Sequence, residues 1–147
     1  MKKNVILIVE DDQLDVISVR RSLDKLGVPY HLHTAYNGIE ALEILRGKDD
    51  RPPLEPLPDI LLLDINMPKM NGIEFLRSMR ADRRLTHIKV FVMTTSGESQ
   101  DRQLAEELGI SGYLIKPLNY TNNTKRADSM DSFVQFYIGK ILREEGN

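Results

Sequence analysis

Four apolar runs in this sequence stop at polar residues of complementary kinds. Val5–Val9 runs into Glu10-Asp11-Asp12, and Ile60–Leu63 into Asp64 with Asn66 two places on. Ile88–Met93 runs into Thr94-Thr95-Ser96, and the stretch ending at Ile115 into Lys116-Pro117. Two or three carboxylates gathered in one crevice repel unless a cation or protons neutralise them. Oxygen ligands without His or Cys favour Mg2+, which holds one or two carboxylates and completes its shell with water and a phosphate oxygen. Lys116 and Thr94, on the other side of the same crevice, would add a point cation and a hydroxyl donor, a phosphoryl-binding arrangement. A carboxylate in that setting can itself be the nucleophile and form an acyl phosphate, provided that a metal and a lysine absorb the charge developing on the transferred oxygens. Asp64 is the candidate, alone at its run's end and between the other groups.

Taken singly, each group has an ordinary structural use. Asp12 fits an N-cap, and Glu10 and Asp11 fit acids near the start of a helix. Lys116 before Pro117 reads as a solvated turn lysine, and Thr94-Thr95-Ser96-Gly97 as loop composition. Asp64 is harder to place that way, because an acid after four straight apolar residues must be solvated or paired. The joint placement at four run ends carries the chemistry.

The elements that must position these groups follow from the pattern. Runs of four to six apolar residues alternate with stretches of helical period, the signature of parallel strands joined by covering helices. The predicted strands are Asn4–Val9, His31–Ala35, Asp59–Leu63, Ile88–Met93 and Ser111–Ile115. The first and third are apolar without alternation and belong at the centre, covered on both faces. His31-Leu32-His33-Thr34-Ala35 alternates and suits an edge strand with solvated histidines. Asp12–Leu26 predicts a helix placing Leu14, Val16, Ile17, Val19, Leu23 and Leu26 on one broad side and stopping at Gly27. Further helices begin near Gly38, Asn71 and Ser99. A last one runs from about Ser129 to Glu144 with Phe133, Phe136, Tyr137, Ile141 and Leu142 inward. Asn37-Gly38-Ile39-Glu40 and Asn71-Gly72-Ile73-Glu74 look like a repeat but read as one local solution used twice, an Asn-Gly turn into a helix with an acid in its first turn. The proline-rich segment Gly47–Pro58 cannot be helix or central strand, and the polar Asn119–Asp128 reads as a loop.

At 147 residues, 41% hydrophobic and 29% charged, the chain is expected to form one domain over 1–147 with no output domain. It has no Cys, which excludes disulfides, thiolate metal sites and a Cys nucleophile, and points to a reducing, cytoplasmic setting. Lys+Arg 20 against Asp+Glu 22, a formal net charge of −2, argues against clamping nucleic acid through its phosphates. Val5–Val9 is too short for a signal sequence or membrane span.

In Val9-Glu10-Asp11-Asp12, Leu62-Leu63-Asp64-Ile65-Asn66-Met67-Pro68-Lys69-Met70-Asn71-Gly72, Val92-Met93-Thr94-Thr95 and Gly112-Tyr113-Leu114-Ile115-Lys116-Pro117 the sequence resembles the receiver domain of bacterial two-component response regulators. The resemblance implies an α/β, flavodoxin-like, doubly wound five-stranded parallel sheet of order 2-1-3-4-5, with five helices in three α/β/α layers. It implies a sensor histidine kinase that donates its phosphoryl group to Asp64, with Asp11 and Asp64 ligating Mg2+. Glu10 would act directly or through water, and Asn66 would contribute its backbone carbonyl. Lys116 would pair with the phosphoryl oxygens, and Thr94 would hydrogen-bond the phosphoryl group and let Tyr113 move from an exposed to a buried rotamer. Thr95 rivals Thr94 if the strand register slips by one. Lys116-Pro117 would be a cis peptide. The long links 47–58 and 119–128 depart from the common pattern. The first of them resembles stand-alone receivers, including those partnered with phytochrome-like kinases. Such a chain would not be a turnover enzyme; its output would pass to a downstream protein or phosphotransfer partner, and its last helix would offer a homodimer or docking surface.

Three rivals stay open at this point. A haloacid-dehalogenase-type phosphohydrolase also uses a strand-end Asp but needs a carboxylate where Asn66 stands. An FMN carrier shares the sheet order but needs a Ser/Thr/Gly phosphate loop where Glu10-Asp11-Asp12 stands. A receiver that binds its partner without phosphorylation would not need the full acidic, Thr and Lys set.

Overall fold

The computed structural model describes residues 4–67, 70–94, 99–115 and 134–145. Five strands, β1 (Asn4–Val9), β2 (Tyr30–Ala35), β3 (Ile60–Leu63), β4 (Lys89–Thr94) and β5 (Gly112–Ile115), form one sheet in the order β2-β1-β3-β4-β5. Every pairing is parallel. The helices are α1 (Gln13–Asp24), α2 (Gly38–Arg46), α3 (Gly72–Arg80), α4 (Ser99–Glu107) and α5 (Gly139–Glu145), the last entered through a π-helical turn, Val134–Ile138. The predicted order, the central positions of the first and third strands and the edge position of the second all hold.

Alternate residues of the central strands feed two separate cores, as the two-residue period of a strand requires. Leu7, Val9, Leu61, Leu63, Val90 and Val92 pack with Ala41, Leu45, Phe75, Leu76, Met79 and Ala105 from α2, α3 and α4. On the opposite face, Ile6, Ile8, Ile60, Leu62, Phe91 and Met93 meet Val16, Val19 and Leu23 of α1 and Val134, Ile138 and Leu142 from the C-terminal helix. The result is three layers, with the strand ends as the places where polar groups can gather.

α1 corrects one expectation. Val16, Val19 and Leu23 are buried, but Leu14 is 59% and Ile17 44% exposed. At about 100° per residue, Val16, Val19 and Leu23 share one stripe; Leu14 lies on nearly the opposite side of the axis and Ile17 about a quarter-turn away. The last predicted helix is present from Val134 onward, while Ser129 and Phe133 lie outside the described residues.

The two Asn-Gly pairs do the same local job. Asn37 Oδ1 accepts from the Glu40 N–H at 2.9 Å, and Asn71 Oδ1 from the Glu74 N–H at 2.9 Å. At the second, Glu74 Oε1 also accepts from the Asn71 N–H at 3.2 Å, completing a capping box. The glycines admit the chain that leaves β3. A Cβ on Gly72 would stand 2.5 Å from the Asp64 carbonyl oxygen, and one on Gly38 2.9 Å from the Met70 carbonyl oxygen.

The proline-rich segment is neither helix nor central strand, as expected. Lys48 and Arg51 exchange backbone hydrogen bonds of 2.9 and 2.8 Å, and the Leu54 N–H donates to the Ile44 carbonyl at 2.8 Å. Glu55-Pro56 is cis. Residues 51–55 of this segment line a cavity of about 520 Å³ together with His33, Thr34 and Ile44. His31 is exposed, and His33 is half-buried rather than fully solvated.

Candidate functional site

The parallel ladders set the level of the acidic residues. Val9 pairs with Ala35 on one side and Leu63 on the other. One residue further, the Glu10 N–H donates to the Ala35 carbonyl at 2.9 Å and the Asp64 N–H to the Val9 carbonyl at 3.0 Å. Glu10 and Asp64 therefore leave neighbouring strands at the same edge of the sheet. Glu10 is fully buried, Asp64 is 4% exposed, and Asp11 stands at the surface. One carboxylate oxygen from each of the three lies within 4.8 Å of the others.

Backbone donors orient the two buried carboxylates. Glu10 Oε2 accepts from the Asp12 N–H at 3.1 Å, and Asp64 Oδ1 from the Asn66 N–H at 3.0 Å. Asp12 itself is turned away, its Oδ1 accepting from the Leu14 N–H at 2.9 Å as the N-cap of α1. The two readings of the acidic triplet are thus both realised, by different residues: Asp12 caps the helix, while Glu10 and Asp11 join Asp64.

Like charges of unit size about 5 Å apart repel by roughly 3 kcal/mol at an effective dielectric of about 20. A cluster of three is relieved most directly by a small divalent cation. The donors are hard carboxylate oxygens, with neither His nor Cys in the group. That set fits Mg2+ or Mn2+ and disfavours softer metals.

Thr94 closes the opposite wall. It ends β4, opposite Ile115 of β5, and its side chain is fully buried. Its Oγ1 accepts from Asn66 Nδ2 at 3.0 Å, which ties β4 to the chain leaving β3. The structure brings Thr94 to the cluster, whereas its rival Thr95 lies outside the described residues. Tyr113 is half-buried in β5, with the Arg102 guanidinium carbon of α4 5.4 Å from its ring centre. Arg102 Nε also meets Glu106 Oε1 at 3.1 Å. Lys116, Pro117, their predicted cis peptide and the segment 119–128 lie outside the described residues.

Two contacts were invisible in the sequence. The Asn66 residue was singled out for its backbone carbonyl, but its side chain reaches Thr94. Arg102 carried no signal at all, since nothing in a charged helix face foretells which aromatic ring on another element it will cover. Beside the cluster, a cavity of about 580 Å³ opens between the chain leaving β3, α3 and α4, with Asn66, Asn71, Arg77 and Asp101 among its lining. No described helix is long and apolar enough to cross a membrane.

Comparison with known proteins agrees with this fold. Residues 6–128 match the family model of the response regulator receiver domain. The response regulator Rcp1 of Synechocystis sp. is 32% identical over 129 residues, 88% of this chain and 87% of its own length. The crystal structure of its Mn2+-bound form superimposes with a TM-score of 0.80 at 29% identity, covering 91% of this chain and 94% of that one. The phosphorylated cyanobacterial phytochrome response regulator RcpA gives a TM-score of 0.81 at 28% identity, covering 93% and 95%. A two-component response regulator from Legionella pneumophila is 42% identical, with a TM-score of 0.69 and coverage of 88% and 99%.

Proposed function

The chain belongs to the response regulator receiver family, and from that premise we propose that it accepts a phosphoryl group on Asp64 from the phosphohistidine of a sensor histidine kinase, in a reaction that needs Mg2+. The observation that carries this reading is the convergence of Glu10, Asp11 and Asp64 within 4.8 Å, with the buried Thr94 linked to Asp64 through Asn66. An Asp64 carboxylate oxygen attacks phosphorus, the P–N bond of the donor breaks, and its imidazole leaves. The product is an aspartyl phosphate.

Asp11 and Asp64 would hold the metal, with Glu10 acting directly or through water and Asn66 contributing its backbone carbonyl. Mg2+ neutralises charge on the transferred oxygens when bound. Within the chain, the Asn66 N–H fixes the Asp64 carboxylate, and the Thr94 hydroxyl donates to a phosphoryl oxygen. Lys116 pairs with the same oxygens, and the new hydrogen bond of Thr94 lets Tyr113 move from an exposed to a buried rotamer. In the first two turns of α1, which follows Glu10-Asp11-Asp12, Leu14 and Ile17 offer exposed apolar contact to a donor protein. Three structural neighbours are phytochrome or bacteriophytochrome response regulators by their own description, which supports a phytochrome-like kinase as the donor.

We read the chain as a cytoplasmic signalling module rather than a turnover enzyme. Its only reactions are gain and loss of its own phosphoryl group, and its output is contact with a protein or a phosphotransfer partner, with no nucleic acid involved. A homodimer would form on its last helix.

The test is intact mass after incubation with Mg2+ and a small-molecule phosphodonor. A single base-labile adduct that fails to form in chelator and in Asp64→Asn supports the reading. Failure of a folded wild-type protein to form any adduct overturns it, and multiple turnover of the donor would reassign the chain as a phosphohydrolase.

A further inference from the structure

Asn66 uses its backbone and its side chain in two directions. Its N–H holds Asp64 Oδ1 at 3.0 Å, and its Nδ2 donates to Thr94 Oγ1, also at 3.0 Å. Asn66 lies at the surface, but the hydroxyl it contacts belongs to a side chain with no exposed area. A hydroxyl has one proton to give and two lone pairs to accept with. With the amide occupying a lone pair, the Thr94 proton is turned away from Asn66, and donation into the oxygen polarises the O–H and makes it a better donor.

We propose that the Asn66 side-chain amide is a positioning group for Thr94, fixing the hydroxyl at the chain leaving β3 in the orientation from which it donates to a phosphoryl oxygen on Asp64. The inference rests on the reading of Asp64 as phosphoacceptor. On this reading the amide takes a lone pair of the hydroxyl and the phosphoryl group takes its proton, so the two hydrogen bonds support each other. A latch would behave in the opposite way: an amide that held Thr94 back from the phosphoryl group would compete with it. The two cases differ in sign.

Beryllofluoride with Mg2+ is the probe, because it occupies the place of a phosphoryl group without being hydrolysed, so that access of water to the site does not enter. Binding to the full chain is followed by the ¹⁹F signal of the bound species, in wild type, Asn66→Ala, Thr94→Ala and the double variant. Loss of one hydrogen bond predicts roughly three- to tenfold weaker binding in Asn66→Ala. In the Thr94→Ala background, removal of the amide should cost nothing further, and Thr94→Ser, which keeps the hydroxyl, should restore the dependence on Asn66. Additive losses, or tighter binding in Asn66→Ala, would overturn the proposal. A folded wild type that fails to bind the probe, or binds it equally well as Asp64→Asn, overturns the phosphoacceptor reading and this inference with it; an intact wild-type response with additive variants removes this inference alone.

Discussion

At the amino end of the sheet, Arg80 leaves the last turn of α3 and donates to four backbone carbonyls, those of Leu108 and Thr86 at 2.9 Å, Gly109 at 3.0 Å and Ile88 at 3.1 Å. At the same end, Asp59 Oδ2 accepts the Val5 N–H at 3.0 Å. The carboxyl end is built otherwise, with three carboxylates drawn within 4.8 Å of one another. Both ends contain polar groups that a random surface would leave in water. At one end each charge meets a backbone dipole of opposite sign, and the chain closes on itself. At the other, like charges are held together by the same backbone, and a bound cation would offset their repulsion. Stability and reactivity are thus separated along the strand axis, which is how a fold can carry an electrostatically unfavourable site.

The largest test of this contrast is Arg80→Ala. Opening four carbonyl contacts should cost about 3 kcal/mol, read as a lower urea midpoint, because hydrogen bonds to charged groups are each stronger than neutral ones and do not add fully. Phosphorylation per folded molecule should not change. A fall in phosphorylation with no loss of stability would break the division between the ends.

Next in size is the response to metal. Mg2+ at one hundred times its dissociation constant should stabilise the wild type by about 2.7 kcal/mol, seen as a rise in melting temperature. The rise should shrink sharply in Asp11→Asn. A smaller effect in the same direction is expected from Asp64→Asn without metal. Removing one of three crowded charges should stabilise the fold by about 1 kcal/mol, read as a higher urea midpoint, whereas substituting an ordinary buried acid would lower it.

The pH-dependent effects belong to β2, at neither pole. Partial burial, with His31 adding to it, holds the His33 imidazole below its usual range. The unfolded chain then takes up that proton first, so stability falls as pH drops below about 6.5 and levels off below the folded value. Tyr30 shifts the other way. Burial and its hydrogen bond to Asp24 push its hydroxyl up to about 12, so stability is lost as pH rises from about 10 to 12. Unfolding curves across both windows check the signs, and neither group should alter the metal response.

The contrast also explains what was legible in the sequence. Asp64, Glu10 and Asp11 could be found because each interrupts an apolar run, and a parallel sheet brings run ends to one edge. The central places of the first and third strands followed from runs that are apolar without alternation, while the full strand order came with the receiver resemblance. Arg80 could not be found that way. An arginine at a helix end reads as a partner for the helix dipole, and its four carbonyls come from segments that meet it only after packing. The same holds for the Asn66 amide, whose partner lies on another strand. Leu14 and Ile17 were misplaced for a related reason: counting apolar residues in a helix does not fix which of them face inward, and the angular stripe of Val16, Val19 and Leu23 was already sufficient.

The proline-rich segment beside β2 bears on how molecules of this protein meet. An edge strand ordinarily invites a strand from a neighbouring molecule to extend the sheet. Here the approach is bordered by residues 51–55, tied back to α2 through Leu54, and Pro52 and Pro53 have no N–H to offer an incoming strand. A second copy that extended the sheet on that flank would have to fit past this segment, which makes growth into a fibre-like stack less favourable there.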